Sequence, residues 1–380
     1  MRLFILFVFA VYGGAHVYAF LRARSALAFG AAAGMVLAAF MTFMVFAVFL
    51  IRALEQHDYD LPARVLAHIA YFWMAGLFLF FCGSLVFDIA GLVTRAAGWA
   101  TRSDLSAYLL SVRTSFFASL ALSLCICVYG YFEARTIGTE RVTIETAKLP
   151  AGIDRLTMVQ ISDVHLGLII RSGRLERMLE VVKAAKPDIF LSTGDLVDAQ
   201  INRLAGLAEL LRRIKTKYGN YAITGNHEYY AGIDRALAFT RDAGFTVLQN
   251  EALPVGPITL AGVDDRTAVQ MHLEKPLPDR KLLAALPRDR FTLFLKHQPR
   301  VDRSTIGLFD LQLSGHTHQG QIFPFRLLTM LFFPLNAGTY DLGNASLLHV
   351  SRGTGTWGPP VRFLAPPEVT VIELVRKARV

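Results

Sequence analysis

Five short blocks of the chain concentrate side chains that bind metal ions. They are Asp163-Val164-His165, Gly194-Asp195-Leu196-Val197-Asp198, Gly225-Asn226-His227-Glu228, Lys296-His297-Gln298 and Gly315-His316-Thr317-His318-Gln319. Five of the ten histidines fall within them, whereas Cys82, Cys125 and Cys127 all lie in long apolar runs. A disulfide framework and a thiolate metal site are therefore excluded around the blocks. The donors on offer are imidazole, carboxylate and carboxamide. That mixture suits Mn, Fe or Zn better than the all-oxygen shell Ca prefers.

Donors so far apart in sequence meet only if regular elements carry them to one place. Short apolar runs at Leu156–Ile161, Ile189–Leu191, Tyr221–Ile223, Ile258–Leu260, Phe291–Leu295 and Leu311–Leu313 predict strands. Helical patterns at Gly173–Ala185, Arg203–Lys215 and Asp234–Ala243 fit between them, which is the order of an α/β sandwich. Five of the strands run straight into the five blocks, and strand carboxyl ends are where α/β folds place ligands. Gly194, Gly225 and Gly315 are expected to let the backbone turn sharply as each ligand appears.

The ordered set resembles the calcineurin-like metallophosphoesterases, whose signature runs DxH, GDxxD, GNH(D/E), a later His and GHxH. Any one block is common, but all five in order are specific, and the resemblance covers about residue 150 to the C-terminus. The tail, with Val350-Ser351-Arg352-Gly353-Thr354-Gly355 and Pro359-Pro360-Val361-Arg362, is similar to a bacterial branch that includes membrane-linked phosphodiesterases. The resemblance implies an α/β metallophosphoesterase domain, a β-sandwich flanked by helices. It also implies two divalent ions, roughly 3.5–4 Å apart, that generate a hydroxide nucleophile and neutralise phosphoryl charge. Carried over block by block, Asp163, His165 and His318 join Asp195 around one ion, and Asn226, His297 and His316 join it around the other. Manganese is the expected metal, with Fe or Zn as alternatives. His227 would face the substrate and protonate the leaving oxygen, with Asp198 or Glu228 supporting it and Asp198 preferred. Protein phosphatases of this superfamily continue GDxxD into Arg-Gly; here Ala199-Gln200 follow Asp198, which weakens that reading.

The remainder of the chain is of a different material. Residues 1–135 carry 9 Arg, no Lys and 6 acids, about 11% charge, against about 22% in residues 136–380. Overall hydropathy averages +0.41 and net charge is +9, with 53% hydrophobic residues. A disordered chain and an ordinary soluble protein are both excluded. Leu3–Leu21, Ser25–Ile51, Val65–Phe87 and Thr114–Phe132 lack charged residues over 19, 27, 23 and 19 positions, long enough to predict four transmembrane helices. The expected organisation is a multi-pass cell-membrane region at 1–135, a linker at 136–150 and the catalytic domain at 151–380. Arg2, Arg52, Arg64, Arg135, Arg141 and Lys148 flank one side, and Arg22, Arg24, Arg95, Arg102 and Arg113 the other, a slight lean toward a cytoplasmic catalytic domain. Asp88 and Arg113, the charges nearest the ends of the third and fourth runs, are expected to form an interfacial ion pair or to snorkel to the headgroups, with a proton or ion relay as the alternative.

Two further segments bear on the substrate. Leu168-Ile169-Ile170, followed by Arg171, Arg174 and Arg177, reads either as an apolar lip beside arginines or as a helix start with a solvated basic face. The run Ile322–Leu335 has Arg326 as its only charge and is too short to span. Core packing is its default reading, and a hydrophobic lid at the active-site mouth the competing one. The function expected is hydrolysis of phosphodiester or pyrophosphate bonds, on a lipid-linked substrate such as a phospholipid or a UDP-diacylglucosamine-type precursor at the bilayer. Soluble nucleotides as substrates, or a non-catalytic membrane sensor or scaffold, are the alternatives. The basic residues show no aromatic interleaving, so nucleic acid is not an expected partner. Oligomeric state is not legible.

Overall fold

The computed structural model of the chain describes residues 2–198, 204, 206–273 and 277–377, with side chains from residue 9 onward. Ala199, Gln200 and Arg203 lie outside the described residues. The chain divides into two units, Met1–Phe132 with Pro359–Val361, and Glu133–Gly358 with Arg362–Val380.

The first unit is helical: α1 (Arg2–Leu27), α2 (Ala31–Gln56), α3 (Asp60–Thr101) and the greater part of α4 (Val112–Glu133). Three segments, Ala31–Gln56, Asp60–Thr101 and Ser106–Glu133, are long and apolar enough to cross a membrane among the described residues. The expected count was four. The fourth expected span, Leu3–Leu21, lies in α1 and begins among residues whose side chains are outside those described. Val36 on α2, Leu92 on α3 and Leu124 on α4 turn apolar side chains outward, as helices in lipid do. Contacts between helices use small residues, with Ser123 Oγ donating to Gly76 O over 2.7 Å. Asp88 pairs with Arg22 at 2.9 Å and accepts from Tyr18 Oη at 2.6 Å. Arg22, not Arg113, is thus the partner, because α1 packs beside α3 there.

The second unit follows as β1 (Gly138–Thr146), β2 (Arg155–Ile161), α5 (Ser172–Ala184), β3 (Ile189–Ser192), α6 (Leu207–Arg212), β4 (Asn220–Ala222), α7 (Asn226–Ala231) and α8 (Ile233–Asp242). It continues through β5 (Thr246–Val247), β6 (Glu251–Val255), β7 (Ile258–Gly262), α9 (Thr267–Gln270), α10 (Asp279–Leu283), β8 (Phe291–Leu295) and β9 (Leu311–Ser314). It closes with α11 (Phe325–Phe332), β10 (Gly338–Gly343), β11 (Ser346–Val350) and β12 (Glu368–Arg376). The segment expected as a linker, 136–150, contains β1, which pairs in parallel with β12.

Two six-stranded sheets form, ordered β1-β12-β2-β3-β4-β5 and β10-β11-β9-β8-β7-β6. Alternation of side chains along each strand assigns one face to the partner sheet and the other to the helices. Leu156 and Met158 of β2, with Ile372 and Leu374 of β12, meet Leu260, Leu293 and Leu313 of the other sheet. Val159, Ile161, Phe190 and Val371 face the opposite way, onto α5 and α8. β2, β3, β4 and β5 run parallel, as do β7, β8 and β9. Their carboxyl ends emerge together at one end of the sandwich.

Ile170 is buried in the helix-side core, and Leu168 is buried beside it in the chain. Arg174 donates to Thr356 Oγ1 and Ala134 O at 3.1 and 2.8 Å. That segment is core, not a lip.

Candidate metal centre

Every block sits on the loop leaving a strand. β2 releases Asp163 and His165, β3 Asp195 and Asp198, β8 His297, and β9 His316 and His318; β4 leads to Asn226 and His227 at the start of α7. Each sheet therefore supplies part of the cluster. Asp163, His165, Asp195, His316 and His318 all have φ between 47° and 71°. Left-handed backbone at non-glycine residues costs about 1–3 kcal/mol each and persists where the fold over-determines it, characteristically at functional sites.

The glycines serve two purposes. Gly194, at φ 95°, is a true left-handed turn. Gly225 is extended, at φ −105°, and Gly315 is not left-handed; a Cβ on either would collide with Asp195 Oδ1 or with Ser162 Oγ and Asp163 Oδ2. Close approach, rather than turning, requires glycine at these two positions.

The donor atoms converge in two groups. In one, His165 Nε2 lies 3.0 Å from His318 Nε2, which lies 3.4 Å from Asp163 Oδ1. In the other, His297 Nε2 lies 3.2 Å from each of Asp195 Oδ2, Asn226 Oδ1 and His316 Nδ1. Asp195 Oδ2 stands between the groups, 3.9 Å from His165 Nε2 and 3.2 Å from His297 Nε2. The remaining carboxylate positions are pinned: His316 N donates to Asp163 at 2.9 and 3.0 Å, and His227 N to Asp195 Oδ1 at 2.8 Å. His297 Nδ1 sits 2.8 Å from Thr193 O. That bond holds the proton on Nδ1 and leaves Nε2 facing the cluster, the arrangement of a metal-ligating histidine.

Comparison with known proteins places the chain in a family. The sequence profile described as calcineurin-like phosphoesterase matches residues 156–320. An uncharacterized metallophosphoesterase of Aquifex aeolicus is 36% identical over 67% of this chain and 98% of its own length. The chain belongs to the calcineurin-like metallophosphoesterase family. An uncharacterized metallophosphoesterase of Campylobacter jejuni is 32% identical over 88% of this chain and 87% of its own. A Danio rerio transmembrane protein with metallophosphoesterase domain is 32% identical over 67% of this chain and 62% of its own. Calcineurin-like phosphoesterases use dinuclear divalent metals, and the donor set here fits such a pair: imidazole, carboxylate and amide around one shared carboxylate oxygen.

The electrostatics of this phosphoesterase show what the fold holds together. Burial pushes Asp163 up to about 6. Burial would also raise Asp195, but the charges of His297 and His227 outweigh it and hold its carboxyl well below the usual range. Burial depresses His165 to about 4 and His316 to about 3, with neighbouring histidine charge adding to the effect, so both rings are neutral and have lone pairs to give. His227 goes the other way. Burial opposes its charge, yet Asp195 and the hydrogen-bonded Asp198 lift it to about 9. Its Nδ1 is 2.9 Å from Asp198 Oδ1. His227 also lies within metal-binding reach of His165 and Asp195, but the Asp198 bond occupies one ring nitrogen.

Glu228 is not paired with His227. It is buried, and its carboxylate accepts from the N–H groups of Asp195, Leu196, Val197 and Gly225 at 3.0, 2.8, 3.3 and 2.7 Å. It clamps the β3 loop to the β4 loop. Three further features escaped the sequence reading. Arg362 is fully buried, donates to Arg352 O, Gly355 O and Ala365 O, and lies 3.1 Å from His318 Nδ1. Trp357 is half exposed, its ring centroid 6.0 Å from that of His227. Phe333 lies 4.9 Å from the His316 ring, with the Arg300 guanidinium 4.8 Å above it. The resemblance of the tail had marked Arg362 without a role; Trp357, Phe333 and Arg300 carry no local motif.

Proposed function

We propose that the chain is a multi-pass membrane phosphohydrolase that cuts phosphodiester or pyrophosphate bonds of a lipid-linked substrate, a phospholipid or a nucleotide-linked lipid. The observation carrying this reading is the mouth of the metal centre. Directly after the loop bearing His316 and His318 comes α11, with no buried residue, and the adjoining Phe333 packs edge-on against His316.

Asp163, His165 and His318 would hold one ion and Asn226, His297 and His316 the other, with Asp195 shared; manganese is the ion we expect. When bound, the pair supplies a nucleophile from water at neutral pH and neutralises charge on the phosphoryl oxygens. The protein's own proton chemistry belongs to His227. Asp198 holds its Nδ1, so the proton on Nε2 is the one that passes to the leaving oxygen, and the ring is then neutral and ready to be recharged.

The reading includes a cytoplasmic catalytic domain, supported by the distribution of arginine and lysine at the span ends. A C-terminal fluorescent-protein fusion should glow and a periplasmic-type phosphatase fusion stay silent; the reverse would invert the topology. For the activity, full-length protein in nanodiscs should bind about two metals per chain and hydrolyse bis-p-nitrophenyl phosphate with Mn present. It should turn over lipid-linked diesters faster than soluble nucleotides. Fewer than about one metal per chain with no hydrolysis would leave a scaffold, and equal turnover of the two substrate classes would remove the lipid preference.

A further inference from the structure

The default expectation for Ile322–Leu335 was core packing, and α11 departs from it. Leu327, Leu328, Leu331 and Phe332 are 59, 46, 77 and 65% exposed. Spaced i, i+1, i+4 and i+5, they form one continuous stripe along the helix. Exposure of this density on a short helix is not ordinary surface scatter and marks a face that is covered in use.

The chemistry around the stripe selects the cover. Phe332 and Phe333 also line a cavity of about 400 Å³ whose polar wall is Arg300 and Arg303. Neither of these, nor Arg326 on α11 itself, forms an ion pair among the described residues. The run Ile322–Leu335 contains no acid. Apolar side chains flanked by arginines that have no ion-pair partner among the described residues match hydrocarbon bordered by anionic headgroups. A protein partner of the usual kind would offer carboxylates to arginines but not a fluid apolar layer for four protruding side chains.

We propose that α11 is an interfacial docking element. Leu327, Leu328, Leu331 and Phe332 insert among lipid acyl chains, and Arg300, Arg303 and Arg326 take the phosphates of anionic lipid. The phosphoesterase centre then opens at the bilayer surface, since Phe333 joins the helix to His316. This rests on the membrane association of the chain and not on which substrate it cleaves.

The test uses the full chain with Cys82, Cys125 and Cys127 replaced by Ser, reconstituted in nanodiscs containing anionic phospholipid. An environment-sensitive fluorophore is placed through Leu331→Cys, or through Glu176→Cys on α5 as an exposed control. Lipid-borne quencher should suppress the Leu331 label by more than half and leave the Glu176 label unchanged. The double variant Leu327→Asp with Leu331→Asp should lose roughly 10- to 100-fold in kcat/KM on a nanodisc-embedded phosphodiester. Its turnover of bis-p-nitrophenyl phosphate should stay within about twofold, which also reports that the domain remains folded. An unquenched Leu331 label overturns the proposal. So does quenching abolished by dilution together with a dimer-to-monomer change, which would make a second copy the cover. Docking is read from the label, so wild-type protein inactive on lipid would overturn the substrate reading and leave this one standing.

Discussion

Glu228→Gln separates a structural clamp from a catalytic acid. Each carboxylate oxygen of Glu228 accepts two backbone N–H groups: Oε1 from Leu196 and Val197, Oε2 from Asp195 and Gly225. Glutamine keeps one oxygen and replaces the other with an amide NH2 group, so two buried N–H groups lose their acceptor and face a donor. Leaving a buried donor unmet costs about 1–3 kcal/mol, or about 2–6 kcal/mol for the pair. That is a large fraction of the roughly 5–15 kcal/mol by which domains are stable. For a domain of this size it corresponds to a fall in Tm on the order of 10 °C. The clamp also sets Asp195, whose own N–H is one of the four, so metal retention after dialysis should fall with stability. The assay is thermal unfolding of the full-length protein in detergent, with metal content measured on the same sample. A variant with wild-type Tm and wild-type metal, but lost turnover, would refute the clamp and return Glu228 to the chemistry.

Asp195→Ala should reduce bound metal from about two per chain to at most one, as measured by elemental analysis, because both donor groups lean on Oδ2. His227→Ala should keep its metal and lose about 100- to 10,000-fold in kcat; an emptied site would make His227 a ligand. In Asp198→Asn the negative charge that raises His227 is lost, while the amide oxygen can still accept from its Nδ1–H. Removing that charge lowers the His227 pKa, so the alkaline limb of the pH–kcat profile should move to lower pH by about one unit or more. An unmoved limb would show that some other group donates the proton.

The membrane unit was legible as composition, but its details were not. Charge-free runs located α2 and α4 closely, whereas α3 continues to Thr101, well past the expected end at Phe87. Backbone hydrogen bonding does not stop where apolarity does, and nothing between Asp88 and Thr101 breaks a helix. Arg113 is expected beside Asp88 because both charges lie at the ends of successive spans, and only helix packing chooses Arg22, which is far away in sequence. In the second unit the strands that were missed, β1, β5, β6, β10, β11 and β12, are edge, hairpin or terminal pairings. β1, β5, β6 and β10 are short or largely polar runs that become strands only when a neighbour supplies hydrogen bonds, whereas β11 and β12 are apolar and are recognised only through the strands they pair with.

The sequence by itself determined which atoms are available. Asp163, His165, Asp195, Asn226, His297, His316 and His318 stand at strand ends because short β-rich runs stop there, and the local code for strands and turns is contained in adjacent residues. Family membership follows from that order alone. Tertiary structure decided what each neighbour does. Asp198 sits against His227 while Glu228, next to it in sequence, turns away to hold four N–H groups. Leu168 and Ile170 are buried while the equally apolar α11 stands exposed. Hydrophobicity reports how strongly a side chain favours leaving water, but only the packed fold determines whether protein is there to receive it.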